Sequence, residues 1–337
     1  MRYFFIEPSE GTVRSIKRTT FAYFLFGAIW ILVCYGIQFA LLFFYPALLQ
    51  NTLFSLVFSS AVLYGIAFPF LCLFLRKTKA APPEKRKIPL WQFSVIIPVL
   101  YTLSIAGNLL GQALSAVLNM FPFIQSENRL TQVILSNDVL LVTFILTVLV
   151  APIMEELVFR KMLISRLLPL GEGFAILLSA FFFGLFHGNF YQFFYAFWLG
   201  LVSGFLFAKT GKVIYTIALH MTFNFFSGFL PTLLLRNLGI YDGSGATSEP
   251  LSAKDLVSVW HLLQYEILLF AIVLAGAVLL FVCFKRVRAA RTPSAFSAGV
   301  QFRRGFLCAG TVCFLVFWML VFIFRILDFD YIFRGIL

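Results

Sequence analysis

The sequence predicts an all-α fold, a polytopic bundle of about nine transmembrane helices with the N-terminus in the cytoplasm. Of its 337 residues 61% are hydrophobic and only 12% are charged, whereas soluble domains carry about 25% charged residues. The apolar residues also form long unbroken runs, such as residues 267–284. These runs do not alternate between apolar and polar residues as barrel strands do, so they predict helices. In addition, the basic residues cluster at the ends of apolar runs, as in a membrane protein.

The apolar runs justify the helices one by one, because each has about the length that crosses a bilayer. They cover residues 21–49, 52–75, 92–120, 138–158, 173–187, 190–208, 213–235, 260–284 and 306–327. The first run is too long for the apolar part of a signal peptide, and we interpret it as a retained span. The fifth run is short for a full crossing.

The net charge of +12 reflects where the spans end. Basic clusters follow the even-numbered runs, at residues 76–87, 160–166, 209–212 and 285–304, whereas the other connections contain few basic residues. This asymmetry is the positive-inside pattern of a membrane protein, and it predicts a cytoplasmic N-terminus. Because the basic residues form no domain of their own, we expect membrane lipid as a partner and no nucleic acid.

The same pattern divides the chain into four regions. We predict an N-terminal transmembrane region with three spans (1–135), a central core (136–236), an external loop (237–259) and a C-terminal transmembrane region with two spans (260–337). The loop is rich in Gly and Ser, which is typical of a connector.

Ionisable residues within membrane helices are costly and usually functional, and the core contains several of them. Glu155 and Glu156 lie near the end of the fourth run, at its predicted cytoplasmic end. Arg160 is four residues after Glu156, so these two side chains share a helix face and can pair. Glu155 points about 100° away from Glu156, which allows it to face a cavity. The structural alternative is an ion pair that ends a helix.

Two of the three histidines lie in the next apolar runs. His187 ends the fifth run, and His220 lies in the seventh run four residues before Asn224, so the latter two side chains face the same way. A carboxylate with neighbouring histidines can remove a proton from water as it attacks a carbonyl. His and Asn side chains can then donate hydrogen bonds to the oxyanion.

Zinc is the alternative use of these residues, since a catalytic zinc site takes three protein ligands. The sequence has no HExxH motif, and Asn224 is a poor zinc ligand. We therefore expect no cofactor, with zinc as the less favoured possibility.

Three motifs follow one another within residues 151–226, on the fourth, fifth and seventh predicted helices. They are Glu155-Glu156-x-x-x-Arg160, Phe183-x-x-x-His187 and His220-x-x-x-Asn224. In this order they resemble the motifs of the CPBP family, the CAAX-protease and bacteriocin-processing family also called Abi, which includes the type II CAAX prenyl endopeptidases. The flanking spans carry no such resemblance.

The resemblance implies a glutamate-dependent intramembrane endopeptidase whose cavity opens to the cytoplasm and the bilayer. It implies that Glu155 and His187 activate water and that His220 and Asn224 form the oxyanion hole. The other two charged residues of the first motif, Glu156 and Arg160, are implied to be the supporting pair. The expected substrate is a membrane-proximal or lipid-modified peptide, and the expected location is the cell membrane of a prokaryote.

Two other functions are compatible with the pattern. A non-catalytic scaffold or bacteriocin-immunity protein of the same fold needs no intact His/Asn stripe in lipid, where polar groups are costly. A proton-coupled transporter uses buried ionisable residues as a relay, but transporters usually contain paired repeats, and the sequence shows no internal repeat. Both are therefore less favoured than the peptidase.

Overall fold

The computed structural model describes residues 9–124, 140–237, 253–283 and 297–327, and its main elements are nine apolar helices. They are α1 (Glu10–Phe44), α2 (Leu53–Leu75), α3 (Leu90–Leu118), α4 (Leu140–Leu170), α5 (Glu172–Phe186), α6 (Phe190–Thr210), α7 (Val213–Asn237), α8 (Ala253–Cys283) and α9 (Ala309–Ile326). Two short helices, Pro46–Gln50 and Ala298–Gly305, lie between them. The predicted all-α architecture is confirmed.

Eight of these helices are long and apolar enough to cross a membrane, and α5 is shorter, with 15 residues. They indicate an integral multi-pass membrane protein. Each predicted apolar run corresponds to one helix, while the count of nine crossings and the cytoplasmic N-terminus stay predictions. The Gly/Ser-rich part of the predicted external loop lies outside the described residues.

The first helix begins well before the predicted residue 21. It starts at Glu10, where the Ser9 side chain accepts a hydrogen bond from the backbone N–H of Thr12. A serine at this position accepts a hydrogen bond from one of the backbone N–H groups that have no partner in the first turn of a helix. Hydropathy marks only the apolar part of a helix, so it missed the polar first turns.

The fourth helix corrects the predicted position of the acidic pair. We predicted that the span ends near residue 158, but α4 continues to Leu170. Glu155 therefore lies mid-helix, 15 residues before Leu170, or about 22 Å along the axis. The sequence was misleading because Arg160 resembles an interfacial anchor, whereas in the structure its side chain is fully buried.

Two π-helical segments interrupt α4, Ile145–Val150 and Leu157–Ile164. A π segment changes the backbone pairing of a helix and often occurs at functional sites. Around the second segment, the Tyr23 hydroxyl of α1 donates to the carbonyl of Val158 at 2.5 Å, and the Ser179 hydroxyl of α5 donates to that of Phe159 at 2.7 Å. Side chains from two other helices thus hold α4 beside the site.

The helices of all three predicted transmembrane regions pack against one another. Phe182 of α5 stacks on Phe314 of α9 with ring centroids 3.9 Å apart. Phe186 stacks on Phe26 of α1, and its ring lies 5.0 Å from Trp318 of α9. The central helices are therefore enclosed by the N- and C-terminal ones. The division into regions remains a prediction.

Candidate active site

The predicted catalytic residues meet at one cavity of about 370 Å³. Glu155, His187, His220 and Asn224 all line it, although they come from three different segments of the chain. The cavity is also bordered by residues of α2, α3 and α8. Its volume is at the lower end of the usual range for ligand sites, about 300–1,000 Å³.

The two adjacent carboxylates have different surroundings. Glu155 lines the cavity, and its side chain is 18% exposed. Glu156 is fully buried. The helical rotation of about 100° between neighbouring residues separates them in this way, as the sequence predicted.

Glu156 joins two other buried groups. One of its oxygens, Oε2, lies 3.0 Å from Nε of Arg160 in a fully buried ion pair. The other, Oε1, accepts a hydrogen bond from Nδ1 of His220 at 2.9 Å. The Arg160 guanidinium also lies over the Phe183 ring, 4.3 Å from its centroid, which is a cation–π contact. A single carboxylate thus links the predicted supporting arginine to the histidine of α7.

His187 is oriented by its own helix. Its Nδ1 lies 2.8 Å from the carbonyl oxygen of Phe183. Because a carbonyl only accepts, Nδ1 carries the proton in the neutral ring and Nε2 is free to accept. The backbone turns sharply after it at Gly188, with φ +66°. Asn189 and Arg325 both donate to the carbonyl oxygen of His187, which fixes the end of α5.

His220 and Asn224 lie one turn apart on α7, on the cavity side. Nε2 of His220 is 3.7 Å from Oε2 of Glu155, so the histidine that contacts this glutamate is His220. Asn224 donates through Nδ2 to the carbonyl oxygen of Thr147 at 2.9 Å. That carbonyl belongs to the first π segment of α4. An amide nitrogen carries two hydrogens, so one bond orients Asn224 and a second donor remains.

Residues 137–226, about a quarter of the chain, match the family model described as type II CAAX prenyl endopeptidase Rce1-like. The chain is similar to this family over these residues, the Rce1-like segment. The resemblance inferred from the three motifs is thereby confirmed, and the match supports a general role as a CAAX-type intramembrane protease. All of the predicted site residues lie within it. No curated protein and no solved structure matches the chain.

Several residues that line the cavity were not predicted from the sequence. Polar residues of this kind include Gln192 and Tyr195 within the Rce1-like segment, and Tyr64, Ser104 and Asn108 outside it. Uncharged polar residues in a membrane helix usually bond to their own backbone or to a neighbouring helix, so the sequence alone did not mark these as site residues. For Ser104 and Asn108 the sequence did contain one indication, since they are polar residues four apart in an apolar run.

Glu155, His187 and His220 are the cavity side chains whose atom types could ligate a metal ion. Among the residues that the structure describes, no group of three or more His, Cys, Asp or Glu side chains is arranged to hold one. The Nδ1 atoms of His187 and His220 are engaged by a carbonyl and by Glu156. Zinc stays the less favoured alternative that the sequence left open.

Proposed function

We propose that the protein is an intramembrane endopeptidase in which Glu155 activates water to hydrolyse a bond of a membrane-proximal or lipid-modified peptide. The observation that carries this proposal is the shared cavity, which brings an accessible carboxylate together with two histidines and an asparagine. The family match supports the same general activity.

In the first step, the Glu155 carboxylate takes a proton from water while the water oxygen attacks the scissile carbonyl carbon. Nε2 of His187 accepts a hydrogen bond from the second hydrogen of this water, since its Nδ1 already donates to the Phe183 carbonyl. General-base catalysis of this kind contributes about 10²–10⁴-fold to the rate.

In the second step, the negative charge collects on the former carbonyl oxygen. The free N–H of Asn224 donates to it. His220 donates through Nε2, which requires a hydrogen on both ring nitrogens because Nδ1 donates to Glu156. The Glu156 carboxylate, which accepts from Nδ1 of this ring, stabilises its positive charge.

In the third step, the tetrahedral intermediate collapses. The carbon–nitrogen bond breaks, and the leaving amine takes the proton that Glu155 received from water. The Glu155 carboxylate is regenerated, and one water is consumed for each bond cut. The buried Glu156–Arg160 pair acts through His220, because it sets the orientation of that ring.

The test uses the full-length protein in liposomes with an internally quenched, farnesylated peptide that ends in a CAAX sequence. A second arm uses the same peptide without the isoprenoid. We expect the wild type to cleave and Glu155→Gln to lose at least about 100-fold of the rate. Glu266→Gln is the matched control, since Glu266 is an exposed glutamate on α8.

Cleavage by Glu155→Gln at the wild-type rate contradicts the proposal. Binding of both peptides without cleavage by the wild type instead supports the scaffold function. Cleavage of only the farnesylated peptide assigns a lipid-modified substrate, and cleavage of both assigns a membrane-proximal one.

A further inference from the structure

Two polar pairs outside the Rce1-like segment line the same cavity. Ser60 and Tyr64 lie on α2, and Ser104 and Asn108 lie on α3. Within each pair the residues are four apart, so their side chains lie on one face of the helix. The mechanism above uses none of these four residues.

Ser104 has an unusual environment. The residue is 1% exposed, and among the described residues its hydroxyl has no hydrogen-bond partner. A buried hydroxyl without a partner lowers stability. Its position at the cavity wall suggests that a ligand supplies the partner.

The helix that carries this pair is held rigidly. Gly107 and Gly111 of α3 lie against the backbone of α6, where a Cβ atom on Gly107 would come within 2.9 Å of the carbonyl of Phe194. On another face, the Thr102 hydroxyl donates to the carbonyl of Val273 on α8 at 2.8 Å. These contacts fix where Ser104 and Asn108 stand relative to the cavity.

The spacing of the pair fits an extended peptide. Residues four apart on a helix are about 6 Å apart along its axis. Alternate residues of an extended chain are about 6.6 Å apart and point the same backbone groups to one side. In apolar surroundings, the N–H and C=O groups of an extended chain need polar partners.

We propose that Ser104 and Asn108 form a subsite that binds the main chain of the substrate peptide beside the scissile bond. Their side chains hydrogen-bond alternate backbone groups of the extended peptide, and Ser60 and Tyr64 border the same subsite from α2. Ser104 and Asn108 are then positioning residues. This inference rests on the proposed peptidase function, and it assigns the α3 span a part in substrate binding.

The first test measures cleavage of the farnesylated peptide by Ser104→Ala and Asn108→Ala. We expect each variant to raise KM about three- to tenfold, the effect of one lost hydrogen bond, with kcat changed less than about twofold. Ser94→Ala is the matched control on the same helix, because Ser94 is exposed and its hydroxyl bonds to the carbonyl of Leu90. Its KM should not change.

The second test replaces single amides of the peptide next to the scissile bond with esters, which removes one N–H at a time. One such ester should raise KM for the wild type and have no further effect in the variant that lost its partner. This non-additivity isolates the pairwise interaction. A purely structural role of the side chain predicts that the two effects add.

Direct binding separates this inference from the proposed function. In the Glu155→Gln background, Ser104→Ala should weaken binding of the same peptide by about the factor seen in KM. Cleavage by the wild type with unchanged KM in both alanine variants overturns the subsite and leaves the peptidase intact. Binding that depends on Ser104, without cleavage by the wild type, supports peptide binding at this subsite and overturns the peptidase. Failure to bind either peptide overturns both.

Discussion

The buried ion pair allows stability and activity to be separated by mutation. Glu156 and Arg160 are both fully buried, with Nε and Oε2 3.0 Å apart. Removing one partner of such a pair leaves an uncompensated charge and costs about 3–5 kcal/mol. Arg160→Met also removes the cation–π contact with Phe183, worth about 2 kcal/mol when desolvated. We therefore expect Arg160→Met to lower the free energy of unfolding by about 4–5 kcal/mol.

The double variant Glu156→Leu/Arg160→Met should recover most of this stability, because apolar replacement of a buried pair is often neutral or stabilising. It should remain inactive, since the Nδ1 of His220 then lacks the carboxylate that orients its ring. Stability is measured by unfolding in mixed micelles as SDS is increased, and activity by cleavage of the farnesylated peptide.

The exposed pair Glu84–Arg86, with side chains 76% and 69% exposed, provides the control. Arg86→Met should leave both stability and cleavage unchanged, because solvent screens such a pair. A loss below about 1 kcal/mol in Arg160→Met would refute the assignment of a buried, tightly coupled pair. Wild-type cleavage by the double variant would refute the orienting role of Glu156.

Three further predictions concern other contacts. Tyr23→Phe removes the hydroxyl that donates to the buried carbonyl of Val158. The free energy of unfolding should fall by about 1–3 kcal/mol. An unchanged free energy of unfolding would mean that this hydrogen bond contributes nothing. Gly188→Ala places a side chain at φ +66°, with its Cβ 2.8 Å from the Arg325 guanidinium. We therefore expect a lower melting temperature and slower cleavage. Wild-type values for both would contradict the described turn. Asn224→Leu removes the proposed oxyanion donor and keeps a side chain of similar size. The kcat should fall about 10²–10³-fold, with KM nearly unchanged. A change in KM alone would mean that Asn224 binds the substrate and does not stabilise the oxyanion.

The sequence predicted the helices well because lipid imposes a simple rule. Every backbone group in the apolar layer must be satisfied within its own segment, so a long apolar run is a helix. Helical phase also separated Glu155 from Glu156 and placed Arg160 beside the latter, since residues four apart always share a face. The Rce1-like match confirmed the resemblance that the three motifs indicated.

Other features depended on contacts that no local pattern contains. Hydropathy ended α4 near Arg160, because it cannot distinguish a buried arginine from an interfacial one. In the structure Glu156 and Phe183 surround the guanidinium, which allows the arginine to lie buried within the helix. The neutral residues Ser104 and Asn108 escaped notice, because serine and asparagine in an apolar helix usually bond to their own backbone or to a neighbouring helix.

The sequence by itself determined which segments are helical, which residues could do chemistry and which face of each helix carries them. These properties follow from hydrophobicity and the helical repeat, which act within one segment. Only the tertiary structure decided that Glu156 bonds to His220, 64 residues away, and that α2 and α3 complete the cavity wall. Such pairings depend on how helices cross, and packing between distant segments determines that.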